Sequence, residues 1–146
     1  MNTSTTPLQF HQLEQLVLAM PMARTLGLAF RRIAAGEVDI EIPVLDAFCF
    51  RPGQLQATAV FAAADFAAVA AAGTLLAPGW INATVDATLK LVAPAEGVVL
   101  RARGRVLSAG KLLTVCAADV YAVSSGGEET LCATLLGSAR NINTSR

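Results

Sequence analysis

The stretch that most constrains the fold is rich in alanine, runs from residue 57 to 72, and contains a single charge, Asp65. Alanine has the highest intrinsic helix propensity, so this stretch is predicted to be helical, with Gly73 as its end. After Thr58 the predicted helix has no polar residue except Asp65. A helix that is apolar all round either spans a membrane or is enclosed by the core of a soluble protein.

A membrane span is the less favoured of these two alternatives, although residues 55–77 are about long enough to cross a bilayer. Alanine contributes little to insertion, Asp65 would lie near the bilayer centre, and no basic clusters flank the segment. We therefore expect an enclosed core helix. Burial of a carboxylate raises its pKa, which suits a general base or a nucleophile, so Asp65 is the first candidate for the functional centre.

Length and composition are consistent with one domain that covers residues 1–146. The chain is 54% hydrophobic and only 15% charged, so we expect part of its apolar surface to be buried between subunits. Its net charge of zero gives no basic patch for nucleic acid. Three cysteines without CxxC spacing, and the absence of a signal peptide at the first residues, favour reduced thiols and a cytoplasmic location.

The order of predicted elements indicates an α+β fold between two flexible tails at residues 1–7 and 143–146. A first helix covers Leu8–Ala19 and is closed by Pro21, and a hairpin follows with strands at residues 26–33 and 37–43. The loop 45–53 leads into the alanine-rich helix, and four strands follow at residues 80–91, 98–107, 111–123 and 129–142. About six antiparallel strands can bury one apolar helix by curling around it, which predicts a hotdog fold with an extra N-terminal helix.

Two of the predicted strands have a polar face. Regular alternation along residues 80–91 places one set of polar side chains on a single face: Asn82, Thr84, Asp86, Thr88 and Lys90. In the next strand Arg101, Arg103 and Arg105 share a face. Such a row of arginines either binds phosphates or forms a solvated strand face, and the second alternative is the more common one.

From about Met20 to Ile142 the sequence resembles the hotdog-fold acyl-CoA thioesterases, in particular the PaaI-like branch from phenylacetate degradation. That branch reads approximately Asn-x-x-Gly-Thr-x-His-Gly-Gly, then six residues, then Asp, and later a Ser or Thr on the first strand after the helix. Here Gly53 and Asp65 keep their places, and Thr84 matches the strand hydroxyl.

The departures from this pattern include four positions at the candidate site. Phe50 stands at the place of Asn, Gln56 at the place of His, and Ala57 and Thr58 at the places of the two glycines. A glutamine side chain still donates a hydrogen bond, but Phe50 replaces a polar group that is expected beside the thioester or its water. The departures leave open a non-catalytic hotdog protein that binds acyl-CoA or another apolar ligand. A hotdog dehydratase would need a catalytic histidine in the loop or the helix, where the sequence has none.

The resemblance implies a site built from two protomers, and the helix geometry agrees. Gln56 and Asp65 are nine residues apart, roughly 13 Å along a helix, which is too far for both to hold one carbonyl carbon. The first-turn N–H groups around Ala57 of one protomer would polarise the carbonyl, and Asp65 and Thr84 of the other would activate water. The alternatives remain that Asp65 is a structural cap at a dimer interface and that Thr84 is an ordinary strand residue.

These arguments give one predicted set of partners and site residues. We expect a homodimer or a dimer of dimers, joined by pairing of residues 81–91 with their symmetry mates, and no metal or cofactor besides the coenzyme A of the substrate. The acyl pocket is expected to be apolar. The candidate catalytic residues are Asp65, Gln56, Ala57 and Thr84, and the candidate substrate-binding residues are Phe48, Phe50, Gly53, Thr58, Phe61, Phe66, Arg101 and Arg103.

Overall fold

The computed structural model describes residues 7–145, so residues 1–6 of the predicted N-terminal tail lie outside the described residues. The helices are α1 (Pro7–Leu18), α2 (Pro21–Leu26) and α3 (Ala57–Gly73), and a 3-10 turn covers Asp46–Phe48. The strands are β1 (Ala29–Ala34), β2 (Glu37–Pro43), β3 (Cys49–Arg51), β4 (Gln54–Leu55), β5 (Trp80–Leu91), β6 (Val99–Ala109), β7 (Leu113–Val123) and β8 (Glu129–Asn143). Strands β3 and β4 form a small separate hairpin.

The main sheet encloses the alanine-rich helix, as predicted. Its six strands are antiparallel in the order β1-β2-β6-β7-β8-β5, and α3 contacts five of them: β2, β5, β6, β7 and β8. The small alanine side chains allow a close approach. A Cβ on Gly104 of β6 would lie only 2.1 Å from the carbonyl oxygen of Ala67, so only glycine fits at this crossing. The predicted hotdog fold is therefore confirmed.

Helix α1 covers the open side of this wrapped sheet. Strands β1 and β5 are the two edges of the sheet, and α1 packs against both β1 and α3. A short second helix, α2, was not predicted, because Pro21 was interpreted only as the end of the first helix. Proline is equally suited to the first turn of a helix, and here Pro21 begins α2, which Gly27 closes with a left-handed φ of 69°. The following strand consequently begins at Ala29 rather than at Leu26.

A β-bulge in β5 overturns the predicted single polar face of this strand. The pairing with β8 passes from Thr84 opposite Ala139 to Asp86 opposite Ser138, which leaves Val85 as an extra residue. Before the bulge, Asn82 and Thr84 face α3. After it the alternation is inverted. The residues that pack on the core are then Ala87 and Leu89, while Asp86, Thr88 and Lys90 are exposed on the other face.

The chain end that was predicted as a flexible tail is attached to the sheet through residue 144. Asn143 pairs with Trp80 at the end of β8, and the backbone N–H of Thr144 donates to the carbonyl oxygen of Gly79 at 2.8 Å. Between residues 7 and 145 no helix is long and apolar enough to cross a membrane.

Candidate active site

Asp65 and Thr84 form the polar centre of the candidate site. Asp65 lies in the middle of α3, and Thr84 lies on the neighbouring strand β5, where its Oγ1 donates a hydrogen bond to Asp65 Oδ1 at 2.8 Å. Within residues 7–145, Thr84 is the only hydrogen-bond donor to this carboxylate, and Asp65 caps no backbone N–H group of its own chain. Two of the predicted catalytic residues are thus in direct contact.

The pKa of Asp65 is raised above its ordinary value because α3 and the sheet remove most of its hydration, an effect that outweighs the lowering by the Thr84 hydrogen bond. A carboxylate with a raised pKa and one remaining unbonded oxygen is a stronger base than an exposed one. Thr84 orients this group, because a hydroxyl held on a rigid strand fixes the rotation of the carboxylate. The pair can therefore bind and activate a water molecule.

The N-terminus of α3 is the second polar feature, and it lies apart from the first. Gln56 is the N-cap and makes no capping bond with its side chain, although its backbone N–H donates to Phe48 O at 2.8 Å. The amides of Ala57 and Thr58 donate to no acceptor in the described part of the chain, and both residues are exposed. Free N–H groups at the positive end of a helix bind developing negative charge. One chain does not bring them to Asp65, which is roughly 13 Å further along the helix.

A cavity of about 600 Å³ extends from the Asp65–Thr84 pair. Its walls are one face of α1, a stripe of α3 from Asp65 to Gly73 with Thr74 after it, the loop residues 76–79, and residues 80–84 of β5. Most of the lining is apolar, and among the described residues that form it Asp65 is the only charged one. Size and lining are those of a pocket for an apolar small molecule.

The four phenylalanines predicted for the acyl pocket are distributed differently. Phe66 lines the cavity, whereas Phe48 packs against the core beside β3. Phe50 is 63% exposed, with the Arg51 guanidinium 5.7 Å from its ring centroid, and Phe61 is 38% exposed. Gly53, which the resemblance also assigned to substrate binding, occupies the β3–β4 turn with a φ of 76°.

Sequence reasoning missed the contribution of α1 to this cavity. The apolar periodicity of the first helix was recognised, and Leu13 and Val17 on that face line the cavity together with Met20, which follows the helix. The pattern identified a buried face but contained no information about which element it covers. Trp80 and Asn82 were missed for a related reason, since their side of β5 was assigned only by alternation.

Within one chain, the arginines of β6 lie away from the Asp65–Thr84 pair, and their assignment to the phosphates of coenzyme A stays a prediction. Arg101 and Arg103 alternate with Ala102 and Gly104, which face α3, so the guanidinium groups lie on the opposite face of the sheet. Both arginines bind Glu129, at 2.6 Å from Arg101 and at 2.7 and 2.8 Å from Arg103.

These ion pairs neutralise the arginine row. The two guanidinium groups hold the pKa of Glu129 down at about 2, and Arg101 also binds Glu41. Arg105 is paired with Asp119 in the same way. Within one chain, the alternative of a solvated, ion-paired strand face therefore explains this row.

The cysteines give no nucleophile. Burial raises the pKa of both Cys116 and Cys132 to about 11, so these thiols stay protonated at neutral pH. Cys49 donates its thiol hydrogen to Leu45 O at 3.2 Å.

Known structures support a thioesterase class. No protein-family model matches the sequence, and no curated protein matches it significantly. A thioesterase family protein from Silicibacter pomeroyi is 29% identical, covering 92% of this chain and 98% of its own, with a TM-score of 0.87. A thioesterase from Haemophilus influenzae is 18% identical over 97% and 96% of the two chains, with a TM-score of 0.82. The predicted resemblance to hotdog-fold thioesterases is thus confirmed.

The PaaI-like branch is represented among the similar structures by PaaI itself. The Escherichia coli PaaI protein, from the phenylacetic acid degradation operon, is 18% identical over 93% of this chain and 97% of its own, with a TM-score of 0.77. At this identity the similarity concerns the fold, and the chemistry of the present chain has to be argued from its own residues.

Proposed function

We propose that the protein hydrolyses an acyl-CoA thioester to a carboxylic acid and free coenzyme A, with Asp65 as general base or nucleophile. The observation that carries this proposal is the position of Asp65: a carboxylate with a raised pKa, held only by Thr84, at the end of an apolar cavity. The thioesterase neighbours support the same reaction class.

We further propose that two protomers complete the site. Strand β5, which contains Thr84, is an edge of the sheet and has one unpaired side. Pairing of β5 with its symmetry mate would continue the sheet into a second copy. A two-fold axis that reverses β5 also reverses α3, so the open N-terminus of one α3 is carried toward Asp65 of the other.

In the general-base route the thioester carbonyl oxygen accepts hydrogen bonds from the Ala57 and Thr58 amides of one protomer, and Gln56 can add a side-chain donor. Asp65 of the other protomer takes a proton from water as the water oxygen attacks the carbonyl carbon. The tetrahedral oxyanion collapses and breaks the carbon–sulfur bond, and the thiolate of coenzyme A receives the proton from Asp65. In the nucleophilic route Asp65 itself attacks the carbonyl carbon, and the carbon–sulfur bond breaks to release coenzyme A as its thiolate. Water then hydrolyses the mixed anhydride, which yields the carboxylic acid, restores the Asp65 carboxylate and supplies the proton for the thiolate.

The second candidate function is acyl-CoA binding without hydrolysis. The observation in its favour is Phe50, whose exposed ring stands where the resembling enzymes have a polar asparagine. This alternative uses the same cavity and the same dimer, so activity decides between the two functions.

Thiol release over a panel of acyl-CoAs is the direct test. We expect release of free coenzyme A from straight-chain and aryl substrates, and little from succinyl-CoA or malonyl-CoA, because an apolar wall does not hydrate a second carboxylate. Saturable binding of acyl-CoA without any release of coenzyme A would favour the second candidate function, a protein that binds acyl-CoA without hydrolysing it. Succinyl-CoA as the best substrate would contradict the apolar site.

A further inference from the structure

The cavity has the shape of a channel with Asp65 at one end. Its α3 wall consists of Asp65, Phe66, Val69, Ala70, Gly73 and Thr74, a spacing that forms one stripe parallel to the helix axis. Its β5 wall runs in the opposite direction, since Thr84 contacts Asp65 and Asn82 Nδ2 donates to Val69 O at 3.0 Å. The channel therefore follows the helix from its middle toward its C-terminus.

Helix α1 lies along one side of this channel, and the loop before β5 lines its far end. Residues of α1 at helical spacing line the channel, namely Phe10, Leu13 and Val17, and Met20 lines it just beyond the end of this helix. A Cβ at Gly73 would lie 3.1 Å from Leu13 Cδ1, so the absence of a side chain at Gly73 gives Leu13 its place near the far end. Residues 76–79 complete the wall behind Trp80.

Two independent measures give the length of the channel. From Asp65 to Gly73 the helix rises eight residues, about 12 Å. From Thr84 to Trp80 the strand advances four residues, about 13 Å. An extended peptide advances about 3.6 Å per residue, which is three bonds along the backbone. At the same advance per bond, an extended alkyl chain of roughly ten bonds fits the length of the channel.

We propose that this channel holds the acyl chain of the substrate, that α1 is its specificity-determining wall, and that it takes straight chains of about eight to twelve carbons. The inference rests on the proposed function for the identity of the reacting end. The lining between Asp65 and Trp80 carries no charge, and the Asn82 side-chain amide is already engaged with Val69 O. An alkyl chain fits such an uncharged lining, whereas a chain that ends in a carboxylate would lose its hydration there without gaining a charged partner.

Trp80 is the only tryptophan of the chain and lies at the far end of the channel, so it reports occupancy without any need for hydrolysis. Decanoyl-CoA that carries bromine on its last carbon should quench Trp80 fluorescence in a saturable way, because a heavy atom quenches at contact. Unlabelled decanoyl-CoA is the ligand control. Use of the Asp65→Asn protein keeps the ligand intact during the titration.

Two channel variants and one matched control complete the experiment. Ala70→Leu inserts a larger side chain about 7.5 Å from Asp65. Each methylene group that the larger side chain displaces should lower kcat/KM by about fourfold, so the value for decanoyl-CoA should fall roughly 50-fold. The value for the short butanoyl-CoA should change by no more than about twofold. Leu13→Ala should move the preferred chain to greater length. Leu112→Ala makes the same change at an exposed turn position and should alter neither the profile nor the quenching.

The outcomes separate this inference from the proposed function. Quenching that Ala70→Leu abolishes supports the channel, with or without hydrolysis by the wild type. Hydrolysis with an unchanged chain-length profile in both variants would contradict the proposed acyl channel but not the proposed thioesterase activity. Binding of the brominated chain without quenching of Trp80 would have the same meaning. Absence of both binding and hydrolysis would overturn both.

Discussion

Asp65→Asn is expected to lower kcat for acyl-CoA hydrolysis by about 10² to 10⁴, the usual contribution of a positioned general base. Asparagine retains the size of the side chain and can still accept the hydrogen bond from Thr84, but it cannot take a proton from water. Thiol release under saturating substrate measures the effect. A loss of less than a few-fold would show that Asp65 is a structural group. Thr84→Val, which removes only the orienting hydroxyl, should cost much less.

The same variant should be more stable than the wild type at neutral pH. The pKa of Asp65 in the folded state lies above its unfolded value, because folding desolvates the carboxylate. Its ionisation therefore lowers the free energy of unfolding as the pH rises through the interval between these two values. Asparagine does not ionise, so Asp65→Asn should gain stability at pH 7–8, and the gain should shrink on acidification. A structural cap would show the reverse, with a less stable variant at neutral pH.

Ala57→Pro is expected to lower kcat by about 10² to 10³, the usual cost of losing one oxyanion donor. Proline removes the backbone N–H at the first position of α3, where helices tolerate it. The preceding residue already has a compatible extended conformation, with ψ of 146° at Gln56. Folding should therefore be retained, which circular dichroism can verify.

The matched control for this variant is Ala57→Gly, which keeps the backbone N–H and should retain most of the turnover. Equal losses in both variants would mean that the side chain at residue 57, rather than its amide, is important. Unchanged turnover in Ala57→Pro would remove the helix N-terminus from the mechanism.

The enclosed helix was predictable because two independent properties of one stretch agree. Alanine propensity predicts the helix between residues 57 and 72, and the absence of a polar face predicts its burial. Asp65 was conspicuous for the same reason, as a charge in an apolar context. Its contact with Thr84 followed from the resemblance, and the structure places the two side chains 2.8 Å apart.

The walls of the channel were less predictable, because they depend on contacts between distant parts of the chain. Phe50 was selected as an apolar residue of the loop before the helix and Phe61 as one of the helix itself, but membership of these segments does not determine the side on which a ring lies. The bulge at Val85 inserts one residue and inverts the faces of β5 beyond it, which a regular alternation of period two cannot represent. That α1, expected over the edge of the fold, lines the same cavity as Asp65 required the folded topology.

The central claim is that each site combines the α3 N-terminus of one protomer with Asp65 of another, and mixed dimers test it most directly. Ala57→Pro and Asp65→Asn chains are unfolded together and refolded, so that half of the dimers contain one chain of each kind. In every mixed dimer one site then has both the Ala57 amide and the Asp65 carboxylate, and the other has neither. We predict that the mixture regains about a quarter of the wild-type turnover, since a two-fold dimer has two equivalent sites. A mixture no more active than its two parents would contradict the shared site.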